Sequence, residues 1–184
     1  PFFVVTYHPV TLEKDGALNA LKNLLAVLST YTEFKFIITY PNADTHNRGL
    51  IDALEKFKEQ YCDQVLLVHS LGQLRYLSAI KHCELVIGNS SSGLIEVPSF
   101  KKPTVNIGRR QGGRIFGATV INCDENISSI AEAVSTAMSC KFINKCLVAK
   151  NPYGDGGSSK LILDVVETIP LNDLIIKKFN DIQK

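Results

Sequence analysis

Short apolar segments alternate with helical patterns along most of this 184-residue chain. Continuous apolar runs predict buried strands, and apolar residues that recur at helical spacing predict helices. The predicted strands are Phe2–Tyr7, Phe34–Tyr40, Gln64–Val68, Glu84–Ile87, Pro103–Ile107 and Ala118–Ile121. The predicted helices are Ala17–Leu28, a segment from Asp44 or Thr45 to about Gln60, Leu71–His82, Ile127–Ser139, Ser159–Glu167 and Leu171–Phe179. This alternation is typical of an α/β fold with a parallel sheet covered on both faces.

The composition is that of an ordinary globular chain and excludes some partners. Hydrophobic residues make up 45% and charged residues 21%, and the length suits one domain with a substantial core. The net charge is only +2 and the basic residues are scattered, so neither nucleic acid nor a membrane is predicted as a partner. Apolar runs such as Val65–Val68 are too short to span a bilayer.

The five cysteines form no recognisable metal or redox motif. None is spaced as C-x-x-C, which disfavours zinc and a redox pair. An odd number without a signal peptide favours reduced thiols and a cytoplasmic location. Because the chain starts directly in the strand Phe2–Tyr7, we expect a further region to precede Pro1 in the full-length protein.

The polar segment Gly88-Asn89-Ser90-Ser91-Ser92-Gly93, hereafter the serine turn, is the most informative part of the sequence. It precedes a predicted short helix, where orphan N–H groups and a partial positive charge attract anions such as phosphate. Glu96 lies one helical turn further on and suits the paired hydroxyls of a ribose. The segment therefore points to a nucleotide. Serines are also favoured helix caps, and capping alone is an alternative interpretation.

Further polar residues follow other predicted strands. His8 follows the first strand, Asn42 the second, and Arg109 and Arg110 the fifth. Because ligands of parallel sheets bind at the carboxyl ends of the strands, we expect these residues to share one edge with the serine turn. A histidine can donate to phosphate or transfer a proton, and a guanidinium pairs well with phosphate. The alternatives are a structural histidine at a turn and a solvated arginine loop.

The remaining sequence features give a weaker indication of a binding site or disfavour metal binding and serine hydrolysis. The glycine-rich loop Asn151–Ser158 either lines the cleft or merely connects two elements. His46, His69 and His82 have no metal-ligand spacing and are interpreted as structural or surface residues, so neither a metal nor a cofactor is predicted. The sequence has no Gly-x-Ser-x-Gly motif and no paired His-Asp pattern, which disfavours serine hydrolysis.

Four motifs, taken in order, resemble a known family. They are Tyr7-His8-Pro9-Val10-Thr11, Gly88-Asn89-Ser90-Ser91-Ser92-Gly93 with Glu96, Asn106-Ile107-Gly108-Arg109-Arg110-Gln111, and Tyr153-Gly154-Asp155-Gly156. The ordered set spans most of the chain and resembles the UDP-N-acetylglucosamine 2-epimerases. It is most similar to the hydrolysing branch, which opens sialic acid synthesis.

The resemblance implies two Rossmann-like domains that face each other across a cleft, in a GT-B-type architecture. Residues 1–184 would be the C-terminal, nucleotide-binding domain, with a helix at about 171–180 that packs back toward a missing N-terminal domain. UDP and UDP-N-acetylglucosamine would be the ligands, and we expect the full-length enzyme to be a homo-oligomer. The isolated chain is expected to be inactive, because the family's acid and base carboxylates lie mainly in the missing domain.

The resemblance also assigns roles to individual residues. His8 matches the family's histidine at the nucleotide and is the one catalytic candidate, Ser90 and Ser91 match its diphosphate contacts, Glu96 its ribose carboxylate, and Arg110 its cleft arginine. Weaker binding candidates are Asn42, Ser92, Gly93, Gln111 and Tyr153.

The implied reaction begins with loss of the C2 proton and anti-elimination of UDP, which gives 2-acetamidoglucal. Addition of water then releases N-acetylmannosamine. A non-hydrolysing 2-epimerase and a GT-B glycosyltransferase would use the same UDP contacts and are the main alternatives, and a non-catalytic nucleotide-binding module is another. The sugar is N-acetylglucosamine or a 4,6-modified relative, because the missing half would build most of the sugar pocket.

Overall fold

Six parallel strands form the central sheet of a computed structural model that describes residues 1–9, 16–41 and 48–170. The strands are β1 Phe2–Thr6, β2 Lys35–Thr39, β3 Val65–Val68, β4 Leu85–Gly88, β5 Thr104–Ile107 and β6 Val120–Cys123. Their order across the sheet is β3-β2-β1-β4-β5-β6, and every pairing is parallel. The predicted α/β, Rossmann-like fold class is confirmed.

Helices connect most of the strands and cover both faces of the sheet. The helices of residues 1–154 are α1 Gly16–Leu28, α2 Arg48–Gln60, α3 Gly72–His82, α4 Ser92–Ile95, α5 Ile127–Ala137 and α6 Cys140–Val148, with a 3-10 helix at Val97–Phe100. A further helix, α7 Ser158–Thr168, belongs to residues 155–184. On one face α1 packs against α2 and α5 over the larger hydrophobic core. On the other face α3 and the 3-10 helix enclose a smaller core around Val4, Ile80 and Val86.

The chain divides into two compact units. Residues 1–154 contain the sheet, and residues 155–184 contain α7. Within the described ranges, every helix is too short or too polar to cross a membrane.

β1 is a central strand because its side chains are apolar on both faces. Phe3, Val4 and Val5 have no exposed surface. Since successive side chains of a strand point to opposite faces, Phe3 and Val5 enter the larger core and Val4 enters the smaller one. Burial on both faces explains why this segment is a continuous apolar run in the sequence.

A crevice opens between the carboxyl ends of β1 and β4. The chain leaves β1 toward α1 on one face, whereas it leaves β4 through α4 toward the 3-10 helix on the other. The two strands are nevertheless neighbours in the sheet, and Thr6 pairs with Gly88 at their ends. Ligands of open α/β sheets bind where the strand order reverses in this way.

Most predicted elements agree closely with the structure, but the sixth strand is displaced. It is predicted at Ala118–Ile121 and lies at Val120–Cys123, so it includes the polar residue Asn122. Asn122 Oδ1 accepts a hydrogen bond from Asn106 Nδ2 on β5 at 2.8 Å. This cross-strand bond satisfies a side chain that would otherwise disfavour a strand.

The sequence pattern does not predict α6. The predicted helix Ile127–Ser139 ends instead at Ala137, and Ser139 begins a new helix. Ser139 Oγ accepts a hydrogen bond from the backbone N–H of Phe142 at 3.2 Å, which caps α6. The predicted helix Leu171–Phe179 and the predicted helix start at Asp44 or Thr45 lie outside the described residues.

Gly88 lies so close to β1 that no side chain fits at this position. Its φ is +137°, and a Cβ atom would lie 2.0 Å from the carbonyl oxygen of Thr6. Gly113 also has a positive φ, of +80°, but a Cβ atom there would meet no heavy atom within 4 Å. A side chain at Gly113 would therefore meet only the cost of a positive φ, whereas a side chain at Gly88 would also clash with the backbone.

We expect Gly88→Ala to lower the free energy of unfolding by about 1–3 kcal/mol more than Gly113→Ala does, the usual cost of overpacking. Urea unfolding of both variants measures the difference. Equal losses would show that β1 and β4 accommodate the extra methyl group and would contradict the clash.

Candidate functional site

A cavity of about 370 Å³ opens at the carboxyl ends of β1 to β4. It is lined by four residues that are candidates from the sequence, namely His8, Ser90, Ser92 and Glu96. His8 follows β1, and the serine turn follows β4, the neighbouring strand. The sheet topology therefore brings together side chains that are far apart in the sequence.

Asn89 joins the two strand ends through its side chain. Its Oδ1 accepts a hydrogen bond from the backbone N–H of His8 at 2.7 Å, and its Nδ2 donates to the carbonyl oxygen of His8 at 2.9 Å. Asn89 has no exposed surface, and His8 is also buried. This pair of bonds, hereafter the Asn89 clamp, fixes the backbone of His8 relative to the serine turn.

The arginine loop, residues 108–114, reaches the serine turn through the carbonyl group of Asn89. Arg110 Nη1 donates to this oxygen at 3.0 Å, and Gln111 Nε2 donates to it at 2.7 Å. A guanidinium has five N–H donors, so this contact leaves most of them for other partners. The contact holds a positive charge beside the serine turn.

Arg109 has different surroundings from Arg110. It is exposed and lines a second cavity of about 500 Å³, which lies between β6 and α5 and also contains Asp124 and Glu132. Among the described residues, no group of three or more His, Cys, Asp or Glu side chains could hold a metal ion. Of the two adjacent arginines, Arg109 therefore lines this second cavity, whereas Arg110 contacts the serine turn without lining the first cavity.

The serine hydroxyls do not cap the helix that follows them. Ser91 is the N-cap residue of α4, yet its side chain makes no capping hydrogen bond. Ser90 Oγ accepts from the backbone N–H of Ser92 at 3.4 Å, which is long for a hydrogen bond. Because α4 has only four residues, its dipole is weaker than the sequence suggests. Any attraction for an anion must therefore come from individual N–H and O–H donors and from Arg110.

Tyr76 of α3 connects a neighbouring helix to the serine turn. Its hydroxyl donates a hydrogen bond to Ser92 Oγ at 2.9 Å, and both residues line the cavity. Burial raises the pKa of Tyr76, the bond to Ser92 opposes this rise, and the charge of Glu96 adds to it. The sequence pattern gives no signal for Tyr76, because it lies within a helix rather than after a strand.

Two aromatic rings form another part of the cavity wall. Tyr40 follows β2 and His69 follows β3, and their rings stack with centroids 4.3 Å apart and an angle of 19° between the planes. The interpretation of His69 as a structural or surface residue is therefore incomplete, since it is exposed but belongs to the cavity. The criterion that selects His8, a polar side chain directly after a strand, would have selected His69 but not Tyr40, which is the last residue of the predicted strand Phe34–Tyr40.

Several sequence candidates do not line the cavity. Ser91 is not part of its wall, and Gly93 is buried where a Cβ atom would lie only 2.7 Å from Thr104 Cγ2. Tyr153 is not among the lining residues, and its hydroxyl donates to the carbonyl oxygen of Ile115 at 3.1 Å. Asn42 lies outside the described residues.

The comparison with known families covers nearly the whole chain. A family model described as UDP-N-acetylglucosamine 2-epimerase matches residues 1–167. The chain belongs to the UDP-N-acetylglucosamine 2-epimerase family. The resemblance inferred from the four ordered motifs is thereby confirmed.

Two curated relatives and one solved structure illustrate the similarity. Polysialic acid biosynthesis protein P7 of Escherichia coli is 37% identical over 153 residues, which cover 83% of this chain and 39% of the relative. The GDP/UDP-N,N'-diacetylbacillosamine 2-epimerase (hydrolyzing) of Campylobacter jejuni is 33% identical over 181 residues, which cover 98% of this chain and 47% of the relative. The chain thus spans less than half the length of these relatives.

The solved structure shows the same fold. The UDP-GlcNAc 2-epimerase of Neisseria meningitidis bound to UDP-GlcNAc has a TM-score of 0.71 to this chain at 19% identity. The match covers 90% of this chain and 44% of that one. The sheet and its flanking helices therefore correspond to about half of that chain.

We expect Asn89→Ala to lower the free energy of unfolding by roughly 2–4 kcal/mol, because it leaves two buried backbone groups of His8 without these partners. Asn126→Ala is the matched control. Asn126 is an exposed N-cap whose Oδ1 accepts from the backbone N–H of Ser129 at 2.9 Å, and its loss should cost about 1 kcal/mol. Urea unfolding compares the two, and a loss in Asn89→Ala no larger than in the control would contradict the clamp.

Proposed function

We propose that this chain supplies the UDP-binding half of a hydrolysing UDP-N-acetylglucosamine 2-epimerase. The observation that carries the proposal is the concentration of hydrogen-bond donors at the serine turn, beside Arg110 and His8, where the strand order reverses. We further propose that the chain is the C-terminal, nucleotide-binding domain of the full-length enzyme. That enzyme would be a cytoplasmic homo-oligomer whose N-terminal region completes the active site.

A diphosphate suits the serine turn because donors there exceed acceptors. The backbone N–H groups of Ser90 and Ser91 have no acceptor among the described residues. The hydroxyl oxygens of Ser90 and Ser92 already accept hydrogen bonds, so their protons remain to be donated. Together with the guanidinium of Arg110, these groups would neutralise a bound anion.

The rest of the cavity suits the nucleoside. Glu96 lies next to the serine turn, and a carboxylate can accept hydrogen bonds from both ribose hydroxyls. The stacked rings of Tyr40 and His69 lie near the ends of β2 and β3, where a planar base could pack against them. We propose that phosphate, ribose and base are arranged in this order from β4 toward β3.

The proposed chemistry divides the work between two domains. Loss of the C2 proton and departure of UDP from C1 give 2-acetamidoglucal, and addition of water then gives N-acetylmannosamine. Negative charge develops on the departing UDP, and fixed donors of this chain would stabilise it in a site shielded from water. His8 would donate to the diphosphate, whereas the groups that act at C2 would come from the missing domain.

The names of the relatives support the hydrolysing branch. The Campylobacter jejuni relative is named a hydrolyzing 2-epimerase, and the Escherichia coli relative is named for polysialic acid biosynthesis. We propose N-acetylglucosamine as the sugar. A modified sugar of the diacetylbacillosamine type is the second candidate, favoured by the name of the Campylobacter jejuni protein.

The isolated chain should bind UDP and show almost no turnover, because it lacks the opposing domain. Calorimetry with UDP tests binding, and inorganic phosphate serves as the control ligand. Product analysis by NMR with UDP-N-acetylglucosamine should detect free N-acetylmannosamine only with the full-length enzyme. Absence of UDP binding would contradict the nucleotide site, and rapid release of N-acetylmannosamine by this chain alone would contradict the division between domains. UDP-N-acetylmannosamine as the final product would indicate a non-hydrolysing enzyme.

The two adjacent arginines provide a second test. Arg110→Ala should weaken UDP binding about tenfold or more, since a hydrogen bond to a charged group contributes roughly 1.5–3 kcal/mol. Arg109→Ala should change it little, because Arg109 lies beside the other cavity. Arg110→Lys should restore only part of the affinity, as a point charge does not reproduce the guanidinium fork. The reverse pattern in calorimetry would mean that Arg109 is the residue at the nucleotide.

A further inference from the structure

The hydrogen bond from Tyr76 to Ser92 links a long helix to the serine turn. Tyr76 lies on α3, its ring packs against the smaller core, and its hydroxyl is 2.9 Å from Ser92 Oγ. α3 has 11 residues and is anchored by Ile80, which has no exposed surface. The phenol is therefore held by a packed helix rather than by a loop.

This bond determines what the Ser92 hydroxyl can still do. A serine hydroxyl has one proton and two lone pairs, and Tyr76 occupies one lone pair. The proton of Ser92 is left for another partner, and no described residue accepts it. Since Ser92 lines the cavity, an acceptor inside the cavity is the natural partner.

The donor role of Tyr76 is stable near neutral pH. Its side chain is largely shielded from water, which raises the pKa of the phenol, and the carboxylate of Glu96 raises it further against the opposing effect of Ser92. The phenol therefore keeps its proton at neutral pH. Removal of the phenol oxygen would let the Ser92 hydroxyl rotate among its staggered positions.

We propose that Tyr76 is a positioning residue that holds the Ser92 hydroxyl as a hydrogen-bond donor to the anion bound at the serine turn. This inference rests on the proposed function, because it takes the diphosphate of UDP as that anion. Tyr76 acts through Ser92 and not by contact with the phosphate. Ser92, a weaker candidate from the sequence, then becomes a contact as important as Ser90.

A double-mutant cycle on the full chain tests the proposal. Calorimetry measures the dissociation constants of UDP and of inorganic pyrophosphate for the unsubstituted chain, Tyr76→Phe, Ser92→Ala and the double variant. Tyr76→Phe should weaken both ligands about threefold to tenfold, the effect of one poorly oriented donor. In the Ser92→Ala background the same substitution should have almost no further effect, because the group that Tyr76 orients is gone.

Two further variants separate positioning from stability. Tyr61→Phe also removes a phenol oxygen, but Tyr61 lies before β3, at the opposite edge of the sheet, and its hydroxyl accepts a hydrogen bond from the side chain of Gln60. It should leave both affinities unchanged. Ser92→Thr keeps a hydroxyl and should restore the dependence on Tyr76. Thermal unfolding of each variant identifies any that is not folded at the temperature of the titration.

The outcomes distinguish an error in the proposed function from an error in the positioning role of Tyr76. If the unsubstituted chain binds neither UDP nor pyrophosphate, the proposed function and this inference are both wrong. If it binds both ligands but Tyr76→Phe has no effect, or weakens binding equally with and without the Ser92 hydroxyl, only the positioning role is overturned. Loss of UDP binding with pyrophosphate binding unchanged would place Tyr76 at the nucleoside and would also overturn it.

Discussion

The two hydrogen bonds between the Asn89 side chain and the backbone of His8 are the interaction on which the site depends. They join the ends of two neighbouring strands whose chains then leave on opposite faces of the sheet. Gly88 permits this approach because a Cβ atom would collide with the carbonyl group of Thr6. The carbonyl group of Asn89 then receives Arg110 and Gln111. Three loops are therefore positioned by one buried residue.

Much of the fold could be predicted because burial on both faces leaves a continuous apolar run, as in β1. The errors occur where a single side-chain hydrogen bond overrides the local pattern. Asn122 enters β6 because Asn106 on the next strand satisfies it, and Ser139 interrupts a helical pattern because it caps α6. Such bonds depend on backbone geometry or on a residue that is distant in the sequence, and hydrophobic periodicity does not report them.

The residues of the candidate site also divide into those that the sequence predicts and those that only the structure shows. His8 and Ser90 could be selected because they follow strands whose carboxyl ends share an edge, and Glu96 because it lies one helical turn beyond the serine turn. Tyr76 could not be selected in this way, since it comes from within a helix and its relation to Ser92 exists only in three dimensions. Ser91 shows the converse, because a run of three serines does not reveal which hydroxyls line the cavity. The adjacent residues Arg110 and Arg109 likewise cannot be distinguished by sequence pattern alone. Only the structure shows that Arg110 contacts the serine turn and that Arg109 lines the other cavity.

The Asn89 clamp contacts only main-chain atoms of residue 8. These two hydrogen bonds do not involve the imidazole, so they can form with other side chains at this position. Over evolutionary time such a scaffold can change the side chain at residue 8 while the loops around it keep these two bonds. A framework of this kind can be inherited by proteins that differ in their functions.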